Sequence, residues 1–339
     1  MNVSQPRTSI SRLSRFYHLP SPLFSAFAFA AATSVLVSSA PVPFQSRSFS
    51  SRNNNIMGYV TSTSADGTIT VSPQNEADQS ATVVFAHGLG DSAEGFVDVA
   101  ENLANKAPHM RFILPTAKKR PVTLNMGMSM NAWYDIVGMD ERSAEKCDGI
   151  QESRDIILNI IESEAARGVP HNRIILAGFS QGAAMSLYTG LQLEASKKLA
   201  GIVALSGYLP AASSFKLTPG LEDVPVLHCH GTQDPMIQYK MAEKTKAAIL
   251  AKGLRDYDLR SYPCPHTVTG AEWADVWKFI SKLLPPLESG GCVKVKAPSE
   301  MSVKELKAAI RRAGIGNQAI GFYEKGEFVK LLENHLASL

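Results

Sequence analysis

A chain of 339 residues with 45% hydrophobic and 19% charged residues can build one large domain with a sizeable core, and that composition excludes a disordered or fibrous protein. The formal net charge of +3 gives no electrostatic case for nucleic acid as the main partner. Four cysteines, Cys147, Cys229, Cys264 and Cys292, stand without a CxxC pair, so neither a disulfide framework nor a zinc knuckle is suggested, and a reducing compartment is the simpler reading.

Residues 1–56 form a leader rich in Ser and Arg, in which five Arg precede the first acidic residue, Asp66. That composition fits an organellar transit peptide, and RSFSS at 47–51 is similar to a mitochondrial processing site. Two other readings stand beside it. The uncharged stretch at 23–40, LFSAFAFAAATSVLVSSA, could serve as a secretory apolar region or a marginal membrane anchor. Translation could instead start at Met57, where GYVTS formally matches a myristoylation pattern. Initiation at Met57 places the protein in the cytoplasm; a working transit peptide places it in a mitochondrion or plastid.

From Ala81 onward, short β-branched runs alternate with longer periodic segments. In chain order the pattern predicts a strand at TVVFA (82–86), a helix over 93–107, a strand at RFILP (111–115), a helix over 149–168, a strand at RIILAGF (173–179) and a helix over 181–193. Strands GIVALS (201–206) and VPVLHCH (224–230), a helix over 236–252, the strand YDLRSY (257–262) and a helix over 269–284 complete the series. Near-continuous apolar strands separated by helices imply an α/β architecture, with a mostly parallel sheet covered on both faces. In such sheets reactive groups gather beyond the carboxyl ends of the strands.

LLPPLESGG at 283–291 breaks the pattern and reads as a linker, so the expected domains are a catalytic body over 57–286, a linker over 287–299 and an appendage over 300–339. In the appendage Ser302 and Glu305 form a capping box ahead of Val303, Leu306 and Ile310, and Gly314 and Gly316 end that helix. A second helix over 324–336 carries Phe328, Leu331, Leu332 and His335 at helical spacing. So few apolar positions make only a small helical hairpin, stabilised by docking.

GFSQG at 178–182 sits where the apolar strand RIILA meets the helix-like QGAAMSLY. A hydrolase nucleophile needs that strand, turn and helix, because the turn lifts its hydroxyl above the sheet edge, and glycines two before and two after let the backbones approach. Ser180 is therefore the candidate nucleophile. A serine hydroxyl needs a base and an orienting carboxylate, which in this arrangement follow in the order acid, then histidine. Asp234 in HGTQDPM and His266 in YPCPHTV both lie just past strands and in that order. His87 precedes the serine, and His228 and His230 precede the acid; the latter two fit packed supports of the Asp234 loop better than metal ligands. Two backbone donors must also receive the oxyanion. The residue after the nucleophile, Gln181, supplies one N–H, and Leu89 in the glycine-flanked HGLGD at 87–91 supplies the other.

The stretches HGLGDSAEGF, RPVTLNMGMSMNAWYDI, NRIILAGFSQGAAMSLYTG, LSGYLP, HCHGTQDPM and WKFISKLLPP resemble the acyl-protein thioesterase and lysophospholipase family of α/β hydrolases, over about residues 83–286. The resemblance implies an α/β-hydrolase fold that cleaves fatty acyl thioesters from protein cysteines, often lysophospholipids too, with no metal or organic cofactor. It implies the same roles for Ser180, Asp234, His266, Leu89 and Gln181. It also implies S-acylated proteins as partners and transient contact with a membrane surface. Two positions depart from the family pattern: Ala183 stands where GFSQGG has its last glycine, and Pro265 stands where glycine commonly precedes the histidine. Proline fixes its own backbone, so a stiffer or displaced His266 loop is the expectation. The tail MSVKELKAAIRRAGI with EKGEFVKLLENH is similar to the SAP-like helical hairpin of some folding-related proteins, a candidate protein-binding unit. Lys304, Lys307, Arg311 and Arg312 are read as a solvated basic face.

A thioester releases a thiolate whose acid has a pKa of about 8.5, so the triad alone does not choose between thioester and oxyester. Selectivity for a long chain needs an apolar channel. LNMGMSMNAW at 124–133 offers Leu124, Met126, Met128, Met130 and Trp133 without a clean helix or strand period, either as that channel or as a loop packed on the core. Two alternatives to a long-chain thioesterase are carried: a carboxylesterase for short esters, and an inactive hydrolase-fold binding protein whose tail is the working part.

Overall fold

The computed structural model describes residues 58–138, 146–294 and 296–337, without the side chain of Arg312. The leader therefore lies outside the described residues. The described residues form ten strands and seven α-helices. Eight strands form one sheet in the order β1 (Tyr59–Thr63), β2 (Ile69–Pro73), β4 (Met110–Leu114), β3 (Ala81–Ala86), β7 (Ile174–Phe179), β8 (Gly201–Leu205), β9 (Val226–Gly231), β10 (Tyr257–Tyr262). From β4 to β10 every pairing is parallel, whereas β1 with β2 and β2 with β4 are antiparallel.

The parallel strands are buried on both sides, which is why they read as unbroken apolar runs. Alternate residues divide between the two faces. Val84, Leu176 and Ala204 join one core with Ile157 and Ile161 of α2 (Ile150–Arg167), Leu187 of α3 (Gln181–Gly190) and Ile249 of α4 (Tyr239–Ala251). Val83, Ile175 and Val203 join the other with Leu103 of α1 (Val97–Lys106) and with Val276 and Ile280 of α5 (Gly270–Leu283). This is a sheet wound on both faces, as the alternating pattern predicted.

Four strands escaped the sequence reading. β1 is half-exposed to exposed along its length, and its YVTST carries too little apolar alternation to announce a strand; pairing with β2 makes it one. The hairpin of β5 (Lys119–Val122) and β6 (Met128–Asn131) includes Pro121 and closes through Met126 and Gly127, both at positive φ. A two-stranded ribbon tolerates a proline because half of its backbone groups face outward.

The segment expected as a linker is pinned to the body. Cys292 N donates to Gln79 O at 2.8 Å, and Lys294 N donates to Arg167 O at 2.8 Å. Gly291 passes so close to Ala77 that a Cβ there would lie 1.7 Å from its carbonyl oxygen. Beyond it α6 (Val303–Arg312) and α7 (Lys325–Leu336) pack through a separate core of Met301, Leu306, Ile310, Phe328 and Leu332. The Ser302 and Glu305 capping box is present. Among the described residues no helix is long and apolar enough to cross a membrane.

Candidate active site

Ser180 lies between the end of β7 and the first turn of α3 with φ 54° and ψ −117°, a backbone region that L side chains avoid. The surroundings hold it there. Ser180 N donates to Leu205 O at 2.8 Å, and Ala184 N donates to Ser180 O at 3.1 Å. A Cβ on Gly178 would lie 2.4 Å from the Gly182 carbonyl group, so the flanking glycines are steric requirements of the turn. Ala183, the departure from the family pattern, fits because residue 207 opposite it is glycine: a Cβ there would meet the Ala183 methyl at 2.5 Å.

Two distant segments line up their side chains behind that hydroxyl. His266 Nε2 lies 3.0 Å from Ser180 Oγ, and His266 Nδ1 lies 2.6 Å from Asp234 Oδ2. A carboxylate only accepts, so Nδ1 carries the hydrogen and Nε2 presents its lone pair to the serine. The ring of Phe179 backs the imidazole at 4.9 Å between centroids. The expected displacement by Pro265 does not occur: Gln233 N donates to Cys264 O at 3.1 Å, tying the two loops together immediately before the proline.

Asp234 is buried, with Oδ1 accepting from Met236 N and Ile237 N at 2.8 Å each. Burial pushes its carboxyl up, but the hydrogen bond and charge of His266, with the two backbone N–H groups, outweigh that and hold it below the usual carboxylate range. His228 and His230 lie buried beneath it, as expected for supports, and the described residues contain no cluster of three or more His, Cys, Asp or Glu side chains suited to a metal ion.

The HGLGD loop crosses directly over the serine, since a Cβ on Gly88 would be 3.4 Å from Ser180 Cβ. Gly90 N donates to Asn131 O at 2.8 Å, and Asn131 Nδ2 donates to Asp91 O at 2.8 Å, so β6 pins this loop. His87 fixes it from below: Ala117 N donates to His87 Nε2 at 3.0 Å, which leaves Nδ1–H to bond Gly88 O at 2.6 Å. The backbone N–H groups of Leu89 and Gln181 have no acceptor among the described residues. Gln181 also acts through its side chain, accepting from Trp133 N at 2.9 Å and donating to Tyr134 O at 2.7 Å.

The 124–133 segment divides. Trp133 is fully buried, and its indole N–H donates to His87 O at 2.8 Å. It is a support under the HGLGD loop and lines no open channel, because its hydrogen bond draws the ring into the core. Leu124 and Met130 are partly buried against the core. Met126 and Met128, at the tip of the β5–β6 ribbon, are 86% and 55% exposed. Sequence reasoning missed Asn131 and the support roles of His87 and Trp133; nothing local in their spacing marks them, since each acts on a partner far along the chain.

A wound parallel sheet carrying a serine on a strained strand-to-helix turn, with a histidine and a buried aspartate beyond neighbouring strands, is the arrangement of an α/β hydrolase. The chain belongs to the Phospholipase/Carboxylesterase family, whose sequence model matches residues 67–284, and it is a hydrolase. It is similar to acyl-protein thioesterase 1 of Mycosarcoma maydis, 37% identical over 235 residues that span 64% of this chain and 97% of the relative. An acyl-protein thioesterase 1 homologue of Dictyostelium discoideum is 39% identical over 208 residues, 61% of this chain and 92% of the relative. Among solved structures, maize acyl-protein thioesterase 2 superposes with a TM-score of 0.57 at 29% identity, over 64% of this chain and 98% of its own.

Proposed function

We propose that the chain hydrolyses long-chain fatty acyl thioesters on protein cysteines through an acyl-enzyme on Ser180, with lysophospholipids as additional substrates. The observation that carries this reading is the line from Ser180 Oγ to His266 Nε2 at 3.0 Å and from His266 Nδ1 to Asp234 Oδ2 at 2.6 Å. The names of the similar proteins support the substrate class.

His266 takes the proton as Ser180 Oγ attacks the acyl carbonyl, and the Asp234 carboxylate stabilises the imidazolium that forms. The N–H groups of Leu89 and Gln181 receive the oxyanion, each such donor being worth roughly a hundredfold or more in rate. Collapse breaks the C–S bond, the thiolate leaves and takes the proton from His266, and water repeats the sequence to free the fatty acid. Leu124, Met126 and Met128 form the apolar surface along the acyl chain, each buried methylene contributing roughly 0.8 kcal/mol. The exposed methionines also suit brief contact with the membrane surface on which such substrates lie. S-acylated proteins are thus the partners, and the α6–α7 hairpin remains available to bind a protein.

The test compares turnover of a palmitoyl thioester, lysophosphatidylcholine and an acetyl ester, together with fluorophosphonate labelling of wild type and Ser180→Ala. Preference for the palmitoyl thioester and a label that disappears in Ser180→Ala are expected. Preference for the acetyl ester would instead assign a short-ester carboxylesterase, and folded protein without a Ser180-dependent label would assign a binding protein.

A further inference from the structure

Beneath Asp234 runs a line of buried polar side chains that the triad chemistry leaves unused. His228 and His230 project from the same face of β9, both fully buried, and Tyr257 opens the neighbouring β10. His230 Nε2 lies 2.7 Å from Ile237 O and 3.6 Å from Asp234 Oδ2. His230 Nδ1 lies 3.3 Å from His228 Nε2, and His228 Nδ1 lies 2.7 Å from the Tyr257 hydroxyl.

Two carbonyl groups bear on the protons in this line, that of Ile237 at His230 and that of Gly207 at the His228 ring, and the first sets their order. The Ile237 carbonyl oxygen only accepts, so His230 Nε2 must carry a hydrogen. In a neutral imidazole Nδ1 is then the acceptor, which requires His228 Nε2 to donate. His228 Nδ1 is left as acceptor, and the Tyr257 O–H donates to it. Burial keeps the members in the forms this order needs: it lowers His228 to about 3, lowers His230 in the same direction, and raises Tyr257.

The order reaches the aspartate through Ile237. Its carbonyl is held by His230, while its N–H, on the preceding peptide, donates to Asp234 Oδ1 at 2.8 Å, so the residue that His230 anchors also holds the carboxylate. We propose that Tyr257, His228 and His230 are positioning residues for the hydrolytic reaction: their directional hydrogen-bond chain holds the Asp234 loop so that Oδ2 faces His266 Nδ1. The opposite tautomer of His230 would set a lone pair against the Ile237 carbonyl at 2.7 Å and release that peptide. The inference rests on the reading of Ser180 as nucleophile, and its test separates the two.

Full-length His228→Leu, His228→Gln and Tyr257→Phe are compared with wild type for kcat, KM, melting temperature, and the downfield proton resonance of His266 Nδ1–H. His228→Leu and Tyr257→Phe are expected to lower kcat about tenfold with KM nearly unchanged, and to shift or broaden that resonance. His228→Gln is expected to recover most of the loss, because its amide oxygen accepts from Tyr257 and its amide nitrogen donates to His230. Should His228→Leu fail to fold, Tyr257→Phe carries the test, since it removes one hydroxyl and keeps the ring. Wild-type kcat and resonance in Tyr257→Phe overturn the proposal, and so does a loss in His228→Gln as large as in His228→Leu. Wild type that takes no Ser180-dependent fluorophosphonate label overturns the nucleophile reading itself, whereas normal labelling with silent variants overturns the positioning chain alone.

Discussion

Gly182, at the start of α3, faces Ala86, at the end of β3, so closely that a Cβ would lie 2.1 Å from the Ala86 carbonyl oxygen. Both partners of that contact are backbone, and no rotamer change relieves it. Gly182→Ala is therefore expected to push the helix away from the strand that leads into HGLGD. Overpacking of this kind costs about 1–3 kcal/mol. Denaturant unfolding should show that loss, and kcat should fall with it because Ser180 and Leu89 separate; unchanged values of both would mean that the approach is not required.

The strain at Ser180 predicts a trade between stability and activity. Ser180→Gly should raise unfolding free energy by about 1 kcal/mol, because glycine adopts φ 54° and ψ −117° without cost, while hydrolysis and fluorophosphonate labelling disappear. Ser180→Ala keeps a Cβ in the same conformation and should lose activity without that gain. Equal melting temperatures for the two variants would remove strain from the account.

Met126 and Met128 are exposed, so replacing them should leave stability nearly unchanged. In a Met126→Asn, Met128→Ser double variant, KM for a palmitoyl thioester is expected to rise about tenfold, corresponding to ~1.4 kcal/mol of lost apolar contact. Turnover of an acetyl ester, too short to reach the ribbon, should not change. A long-chain KM equal to that of wild type would take these residues out of the acyl channel.

The buried histidines predict a pH dependence of stability. His228 is lowered from an ordinary value of 6.5 to about 3, first by burial and then by the charge of His230. Its folded-state value lies below its unfolded one, so the unfolded chain binds the extra proton and stability rises with pH. The contribution is fully present above about pH 6.5 and is lost as pH falls toward about 3, at up to roughly 1.4 kcal/mol per pH unit. Urea unfolding between pH 7 and 5, above the range in which most carboxylates titrate, should show the decline, and His228→Gln should flatten it by about one proton. An identical slope in that variant would contradict the assignment.

The body of the fold was legible because its signals are local. Ile174 to Phe179 reads as a buried strand from consecutive apolar residues, and Gly178, Ser180 and Gly182 mark the turn within five positions. The order of Asp234 and His266 after the serine was equally visible, and the structure brings all three within hydrogen-bonding distance. Trp133 was not legible: a tryptophan beside methionines reads as acyl-channel lining until a carbonyl 46 residues away takes its N–H.

The sequence by itself determined the wound α/β sheet, the strand-to-helix turn at Ser180 and the chain order of its partners, because hydrophobic period and glycine spacing act between near neighbours. Tertiary structure alone decided that β1 joins the sheet, that residues 291–294 lie against the body, and that His228 Nδ1 comes within 2.7 Å of the hydroxyl of Tyr257, 29 residues away. Each of these is a contact between groups far apart in the chain. Its free energy exists only once the packed core has brought them together and excluded water.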